Sequence, residues 1–486
     1  MPPILLSLDV GTSGVRAALF DESGRELSGV RIARNAASFT DFTELDPDLI
    51  VEEVIEAIDE LLDASSSADR IEIITISAFW HSLLGIDSAG ALTTPLLTWA
   101  DTRATAIAKQ FRVEFDEREI HLRTGCRFHS SYWPAKLRYL QTEQWEAFSR
   151  TSLWLGLAEY LCLRLFDKPV ASVSMASATG LMNQKSCDWD WNLVAALQLE
   201  RETLPEITRN VDVQLSSQYI ERWPSLARAK LKVIVGDGAA NNVGGGCCSK
   251  KQIALMVGTS GAMRAVFAGE PPTVLPAPLW SYRIDDRRVV VGGALSDGGG
   301  LYNWLLQSLN IDGGPEKFAK ELSALGPDAH GLTILPFWSG ERSTGWTGDA
   351  RGAILGLTQQ TRPVDIVRAA YEAIAYRFAL IARALDTLVP DAAVVATGNA
   401  LRSSPVWLQI ISDVLGRQLL LGGSSEASIR GAALLGLEAV GKIGSIEETV
   451  VEVDEVFEPD MDRHAVYSQA LERQETFYRK LVIEQT

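Results

Sequence analysis

One phrase, V-G-T-S-G, occurs twice in this chain, at Val10–Gly14 and at Val257–Gly261, about half the chain apart. Each copy closes an apolar, strand-like run: L-S-L-D-V-G-T-S-G-V-R-A-A-L-F from Leu6 to Phe20, and I-A-L-M-V-G-T-S-G-A-M-R-A-V-F from Ile253 to Phe267. Glycine lets the backbone take left-handed torsions and approach a ligand closely. Successive N–H groups in such a turn form an anion-sized concavity, and Gly11, Thr12, Ser13, Gly258 and Thr259, with Ser260, supply N–H and hydroxyl donors. Either copy alone serves equally well as a plain tight hairpin. The duplication favours two similar halves that face each other and hold a phosphate group between them. The copies differ where Asp9 of the first becomes Met256 of the second. A carboxylate beside one loop and a thioether beside the other predicts a hard divalent cation, Mg²⁺, nearer the first half.

Asp237 stands at the end of an apolar run, Leu231 to Val235, between Gly236 and Gly238. A carboxylate on so open a turn suits the general base of a phosphoryl transfer, which needs placement next to a hydroxyl more than a shifted pKa. The alternative role is to cap a helix that begins at Ala239-Ala240. Two further segments, Trp80-His81 and Trp99-Ala100-Asp101-Thr102-Arg103, combine what a polyol requires. Aromatic faces cover the C–H side of a sugar, and His81, Asp101 and Arg103 offer hydrogen bonds to its hydroxyls. Core packing of Trp80 and Trp99 and a surface pairing of Asp101 with Arg103 are the structural alternatives. His129, in an aromatic stretch, is placed at the same cleft, whereas His121, His330 and His464 have no chemical context. In the second half, Gly298-Gly299-Gly300, Gly340-Glu341-Arg342 and Gly398-Asn399 are glycine-marked element ends. Neither G-x-x-x-x-G-K-[ST] nor G-x-G-x-x-G occurs, which excludes the usual nucleotide loops.

These groups need a frame of alternating strands and helices. Pro47 to Leu62 has helical apolar spacing, and Ile71 to Ser77 is a β-branched strand that delivers Trp80-His81 beyond its C-terminal end. Pro363 to Leu385, Pro405 to Leu415 and the Ala-rich Ser428 to Val440 read as helices, and Val394 to Thr397 as a buried strand. The stretch from Gly125 to Trp223 is more irregular. A seam is expected at Asn241–Gly246, dividing the chain into domains at 1–243 and 244–486. At 486 residues the chain is too long for one core. With a net charge of −17 it has no basic field for nucleic acid or an anionic membrane. Five cysteines without C-x-x-C spacing, and no long apolar run, predict a soluble protein of the reducing cytoplasm with no zinc site.

In this order the motifs resemble those of the FGGY carbohydrate kinases. The matching stretches are D-V-G-T-S-G, F-W-H-S-L-L-G-I-D with L-L-T-W-A-D-T-R, V-G-D-G, the second V-G-T-S-G, L-P-F-W-S-G-E-R-S-T-G-W and A-T-G-N-A-L-R-S-S-P-V-W-L-Q-I-I-S-D-V-L-G. The resemblance implies an α/β architecture of two actin-like ATPase (RNase H-like) domains facing each other across a catalytic cleft. It implies ATP and Mg²⁺, with Asp9 to Ser13 on the transferred phosphate and metal. Asp237 would be the base and a second carboxylate by the metal, with Gly258, Thr259 and Gly298 about the ADP phosphates and Gly398 with Asn399 by the adenosine. Trp80, His81, Trp99, Asp101 and Arg103 would hold the sugar. The motifs look most like those of gluconokinases, which implies D-gluconate. Its carboxylate requires a cation, for which Arg103, Arg127, Lys136 and Arg264 are the candidates. A pentulose such as xylulose or ribulose, or another polyol, is the alternative substrate, an actin-like ATP-binding sensor clamp the non-enzyme alternative, and a homodimer a family-level expectation. The chain departs from the family pattern at Asn399, where a second glycine is common, and at Tyr139, where tryptophan is usual.

Overall fold

Both V-G-T-S-G phrases fold as tight antiparallel hairpins. Ile4–Gly11 pairs with Gly14–Phe20, with Gly11 opposite Gly14, and Gln252–Val257 pairs with Gly261–Ala268, with Val257 opposite Gly261. The computed structural model describes residues 4–33, 42–65, 70–310, 314–423 and 426–484, and around each hairpin it builds a sheet on one plan. In the first half Glu26–Ala33 extends the hairpin on one side; Ile71–Ala78 and then Lys230–Gly236 lie parallel to the first strand on the other. In the second half Arg288–Leu295 takes the place of Glu26–Ala33, and Ala393–Thr397 and Leu419–Gly422 supply the parallel pair. Short edge strands, Val213–Gln214 in the first sheet, Trp280–Arg283 and Val453–Phe457 in the second, complete them. The central strands are apolar on both faces, as a sheet covered on both sides requires. These are the two mixed α/β domains that the sequence predicts.

The helix Pro47–Ala64 starts where Asp46 accepts the N–H of Asp48 and Pro47 occupies the first turn. Its buried residues, Ile50, Val54, Ala57, Ile58 and Leu61, form one stripe against the first sheet. The long helix Pro363–Leu385 does the same for the second sheet, and Pro405–Leu415 follows with Gly416 as its left-handed C-cap. From Gly125 to Trp223 the chain forms short helices and strands of two or three residues about a separate aromatic cluster that includes Trp133, Trp154 and Trp189. All five cysteines are buried and unpaired. No helix among the described residues is long and apolar enough to cross a membrane.

The expected seam at Asn241–Gly246 is not a linker, since its first four residues complete the helix Asp237–Gly244. That helix reaches into the second half, where Asn242 Nδ2 donates to the Arg264 carbonyl at 3.1 Å. In return Ala427–Ala439, far along the second half, packs on the first sheet. Ser7 Oγ donates to the Ile429 carbonyl at 2.9 Å, and Ile429, Ala433 and Leu437 cluster with Leu5, Phe20 and Ile73. The two exchanged helices cross with their backbones in contact. A Cβ on Gly244 would lie 1.8 Å from the Ala427 carbonyl oxygen, and one on Gly431 would lie 1.8 Å from that of Ala240. Gly244→Ala and Gly431→Ala are each expected to cost about 1–3 kcal/mol by forcing the helices apart. The double variant should cost less than the two together, because one displacement relieves both clashes; urea unfolding measures all three.

Candidate active site

A cavity of about 280 Å³ opens between the halves, with Thr12 and Ser13 of the first hairpin loop and Gly258 to Gly261 of the second in its wall. Asp237 lies in the same wall as the first residue of its helix, with Oδ1 accepting the Gly238 N–H at 2.7 Å. The strand-end position and the helix-end position are thus one placement. The glycines beside it serve Trp80: a Cβ on Gly236 would meet the indole at 1.8 Å, and one on Gly238 at 2.6 Å. Burial raises the Asp237 pKa, and the Arg264 charge and the Gly238 N–H oppose that rise.

Trp80 stands edge-on to Tyr282, with ring centres 5.1 Å apart, and Tyr282 stacks on Trp280 at 4.1 Å. His81 adopts φ 69°, and its Nδ1–H donates to the Ala178 carbonyl at 2.7 Å, which leaves Nε2 as the acceptor. Burial pushes His81 down to about 3, so the ring in the cavity wall is neutral. Lys136 donates to the carbonyls of His81 at 2.7 Å and Thr98 at 2.6 Å, tying the Trp80-His81 turn to the Trp99 segment.

Several expected substrate groups lie elsewhere. Asp101 and Arg103 do not line the cavity; they form a bidentate pair at 3.0 and 2.9 Å, and Arg103 also meets Glu44 at 2.6 Å. The two charges neutralise each other two residues apart, as the pairing alternative has it, although Asp101 is buried and not on the surface. His129 is buried behind the wall, its Nδ1 against the Ser131 hydroxyl and Nε2 against the Glu341 carbonyl. Of the four candidate cations, Lys136 is spent on carbonyls and Arg127 on Glu117. Arg264 alone of them faces the cavity, and beside it stands Arg342, absent from that set. Its neighbour Glu341 is fully buried, with a carboxylate that accepts the Gly345 N–H at 3.0 Å, Arg377 at 2.6 Å and the Tyr478 hydroxyl at 2.6 Å. The available signal was a glutamate and an arginine adjacent in G-E-R-S-T-G-W, one of which had to be bound by the protein and the other left for something else.

A second cavity, about 750 Å³, adjoins the first, and Gly258 and Thr259 belong to both walls. Its far side is apolar and aromatic, with Tyr302, Phe318, Tyr371 and Trp407. The glycine run behaves as backing for the loop. Gly298 N–H donates to the Thr259 carbonyl at 3.0 Å and Gly299 N–H to the Gly258 carbonyl at 2.8 Å, so Gly299 and not Gly298 reaches the cavity surface. Gly398, at φ 95°, passes so close to Val257 that a Cβ would lie 2.6 Å from its carbonyl oxygen. The chain then starts a helix at Asn399 and joins the cavity wall at Ala400.

Asp9 fits a divalent cation. Its Oδ1 is buried without a hydrogen-bond partner, and burial, with the charges of Asp237 and Glu426, pushes its pKa up to about 7. Two carboxylates and the hydroxyls of Thr12 and Ser13 form a hard oxygen set suited to Mg²⁺. On the second loop the corresponding Met256 offers only sulfur to the cavity. A different acid–histidine group, Asp328, His330 and Glu372, is closed by its own contacts: His330 to Glu372 at 3.0 Å, Arg368 to Glu372 at 2.7 Å and Arg473 to Asp328 at 2.8 Å.

Residues 4–236 match the N-terminal domain of the FGGY family of carbohydrate kinases, and residues 253–440 match its C-terminal domain. The chain is 29% identical to a protein named gluconokinase from Bacillus subtilis (strain 168), over 92% of this chain and 90% of that one. Among solved structures, a gluconate kinase from Lactobacillus acidophilus superposes with a TM-score of 0.89 at 27% identity, covering 99% of this chain and 98% of that one. A ligand-bound xylulose kinase from the same organism superposes at 0.88 and 27%, with the same coverage of both chains.

His81 generates a stability prediction. Its folded-state pKa lies below its unfolded one, so the unfolded chain takes up a proton first as pH falls through about 6.5, and the folded state loses stability below that point. His81→Gln should therefore make the melting temperature fall less steeply between pH 6.5 and 4.5 than in the wild type, as differential scanning calorimetry across that range would record.

Proposed function

The chain belongs to the FGGY family of carbohydrate kinases, and on that premise we propose that it transfers the γ-phosphoryl group of ATP to D-gluconate, giving 6-phosphogluconate and ADP. The observation that carries this is the shared wall: a polar, aromatic cavity that contains Asp237 meets a larger apolar one across the single loop Gly258-Thr259. Acceptor and donor then lie on either side of one phosphate-sized turn, which is the geometry a direct transfer needs. The gluconokinase and gluconate kinase relatives support the choice of sugar acid.

In this scheme Asp237 accepts the proton of the C6 hydroxyl as its oxygen bonds to the γ-phosphorus, while the bond from that phosphorus to the bridging oxygen of ADP breaks and ADP leaves with the electron pair. Trp80, Trp280 and Tyr282 cover the apolar side of the sugar and keep water from competing for the phosphoryl group. Neutral His81 accepts a sugar hydroxyl at Nε2. The donors of Thr12, Ser13, Gly258 and Thr259 hold the moving phosphoryl oxygens. Asp9, with Asp237 beside it, would hold Mg²⁺, which when bound supplies positive charge to the phosphate oxygens. The free buried cysteines and acidic surface suit a reducing, cytoplasmic setting.

A coupled ADP-release assay with MgATP against gluconate, xylulose, ribulose and glycerol tests this. Gluconate is expected to be turned over in preference to the rest. Asp237→Asn should lower kcat by about 10²–10⁴-fold, the range for loss of a general base. Its melting temperature at pH 7 should be unchanged or higher, since the replaced carboxyl has a raised pKa and its ionised form weakens the fold. Preferred turnover of a ketose would reassign the substrate, and a near-normal rate in the variant would remove Asp237 from the mechanism.

A further inference from the structure

A guanidinium taken out of water costs several kcal/mol unless a carboxylate and hydrogen bonds offset it. The other deeply buried arginines of this chain follow that rule. Arg288 pairs with Asp285 at 3.0 Å and Glu447 at 2.9 Å, Arg368 with Glu372 at 2.7 Å, and Arg377 with Glu341 at 2.6 Å. Buried Arg264 and half-buried Arg342 do not. Among the described residues neither has a carboxylate within ion-pair distance, although the chain carries 62 acidic residues.

Their hydrogen bonds are sparse as well. Arg264 is only 6% exposed, and its one hydrogen bond to the described residues runs from Nη1 to the Gly238 carbonyl at 3.3 Å. Arg342 donates Nη2 to the Leu295 carbonyl at 3.0 Å; its Nε is buried without a partner, and its guanidinium lies 4.8 Å over the Trp99 ring. Both forks therefore keep most of their N–H groups free, and both face the Asp237 cavity. Burial depresses both pKa values, that of Arg264 to about 10, which leaves it charged at neutral pH. The cavity holds two cations against the single facing carboxylate of Asp237, an excess of one positive charge with planar, bidentate donors.

We propose that Arg264 and Arg342 together bind the carboxylate of an aldonate, and that this pair makes the site select a sugar acid over the neutral sugar with the same hydroxyls. The inference rests on the sugar-kinase function proposed above and assigns the acceptor class to two residues. The fork of a guanidinium matches a carboxylate in two parallel bonds. Discrimination comes from rejection as much as from attraction: an acceptor without the anion leaves both charges of the cavity wall unpaired.

The experiment compares D-gluconate with D-glucitol, the same carbon chain with its carboxylate reduced to an alcohol. It measures kcat/KM for wild type, Arg264→Gln and Arg342→Gln, and the melting-temperature rise each sugar produces without nucleotide. Wild type should prefer gluconate and be stabilised by it more than by glucitol. In each variant the ratio of the two kcat/KM values should fall about 30- to 10³-fold, as loss of one partner from a buried charge pair predicts, with the change mainly in KM. Charge-retaining Arg264→Lys and Arg342→Lys, whose folding is checked by the stabilisation ADP confers, should keep part of the preference. If both substrates fall in proportion, the arginines serve the phosphoryl group or the fold, and the assignment is wrong. Unchanged preference in both variants overturns it too, while leaving the gluconate function intact. A wild type that prefers glucitol or a ketose to every aldonate overturns the gluconate function and the arginine pair together.

Discussion

Gly244 and Gly431 allow two helix backbones to touch, and the arrangement of the cavity depends on that contact. The helix that ends at Gly244 begins at Asp237, so its crossing point fixes how far the carboxylate stands from the second-half strand Gly261–Ala268, which carries Arg264. The partner helix is anchored to the first sheet through Ser7 and Ile429. Each half thus holds an element of the other, and the two V-G-T-S-G loops are related through a pair of crossing helices. Larger residues at the crossing would move Asp237 and Arg264 apart, so the glycines bear on the shape of the cavity as well as on packing.

The cavity concentrates electrostatic cost in a few side chains. Asp9 and Asp237 are both held above the ordinary carboxylate range by burial, and Arg264 and Arg342 are both held below the ordinary guanidinium range by the same cause. Other buried charges are closed within the chain, as in Arg377 with Glu341 or Arg368 with Glu372. Sites that leave charge uncompensated lose stability for the sake of a ligand that restores it. Glu341 shows the two conditions side by side, being saturated by N–H, guanidinium and hydroxyl donors so that its neighbour Arg342 is left open.

Local signals carried most of the fold. The duplicated hairpins, the Asp9/Met256 asymmetry and the helices Pro363–Leu385 and Pro405–Leu415 were legible because turn glycines, Pro at the first turn and apolar periodicity act over a few residues. The helix exchange was not legible, because Gly244 and Gly431 are small residues in small-residue stretches and nothing local pairs them. Asp101 and Arg103 misled for the opposite reason: they have the right chemistry for a sugar, but they lie close enough in sequence to satisfy each other. Arg342 and Tyr282 were missed because the cavity collects them across long stretches of chain. Gly298 was placed one residue short of Gly299, since both run along the same loop backbone.

The exchange of helices has a bearing on how the chain is inherited and cut. A fragment ending near residue 243 would keep the first sheet but leave Leu5, Phe20 and Ile73 bare, because Ile429, Ala433 and Leu437 arrive from far downstream. A fragment starting there would lack the helix that meets Arg264. The duplication visible in the two V-G-T-S-G hairpins therefore no longer corresponds to two separable modules. Its halves are interlocked through the crossing of Asp237–Gly244 and Ala427–Ala439.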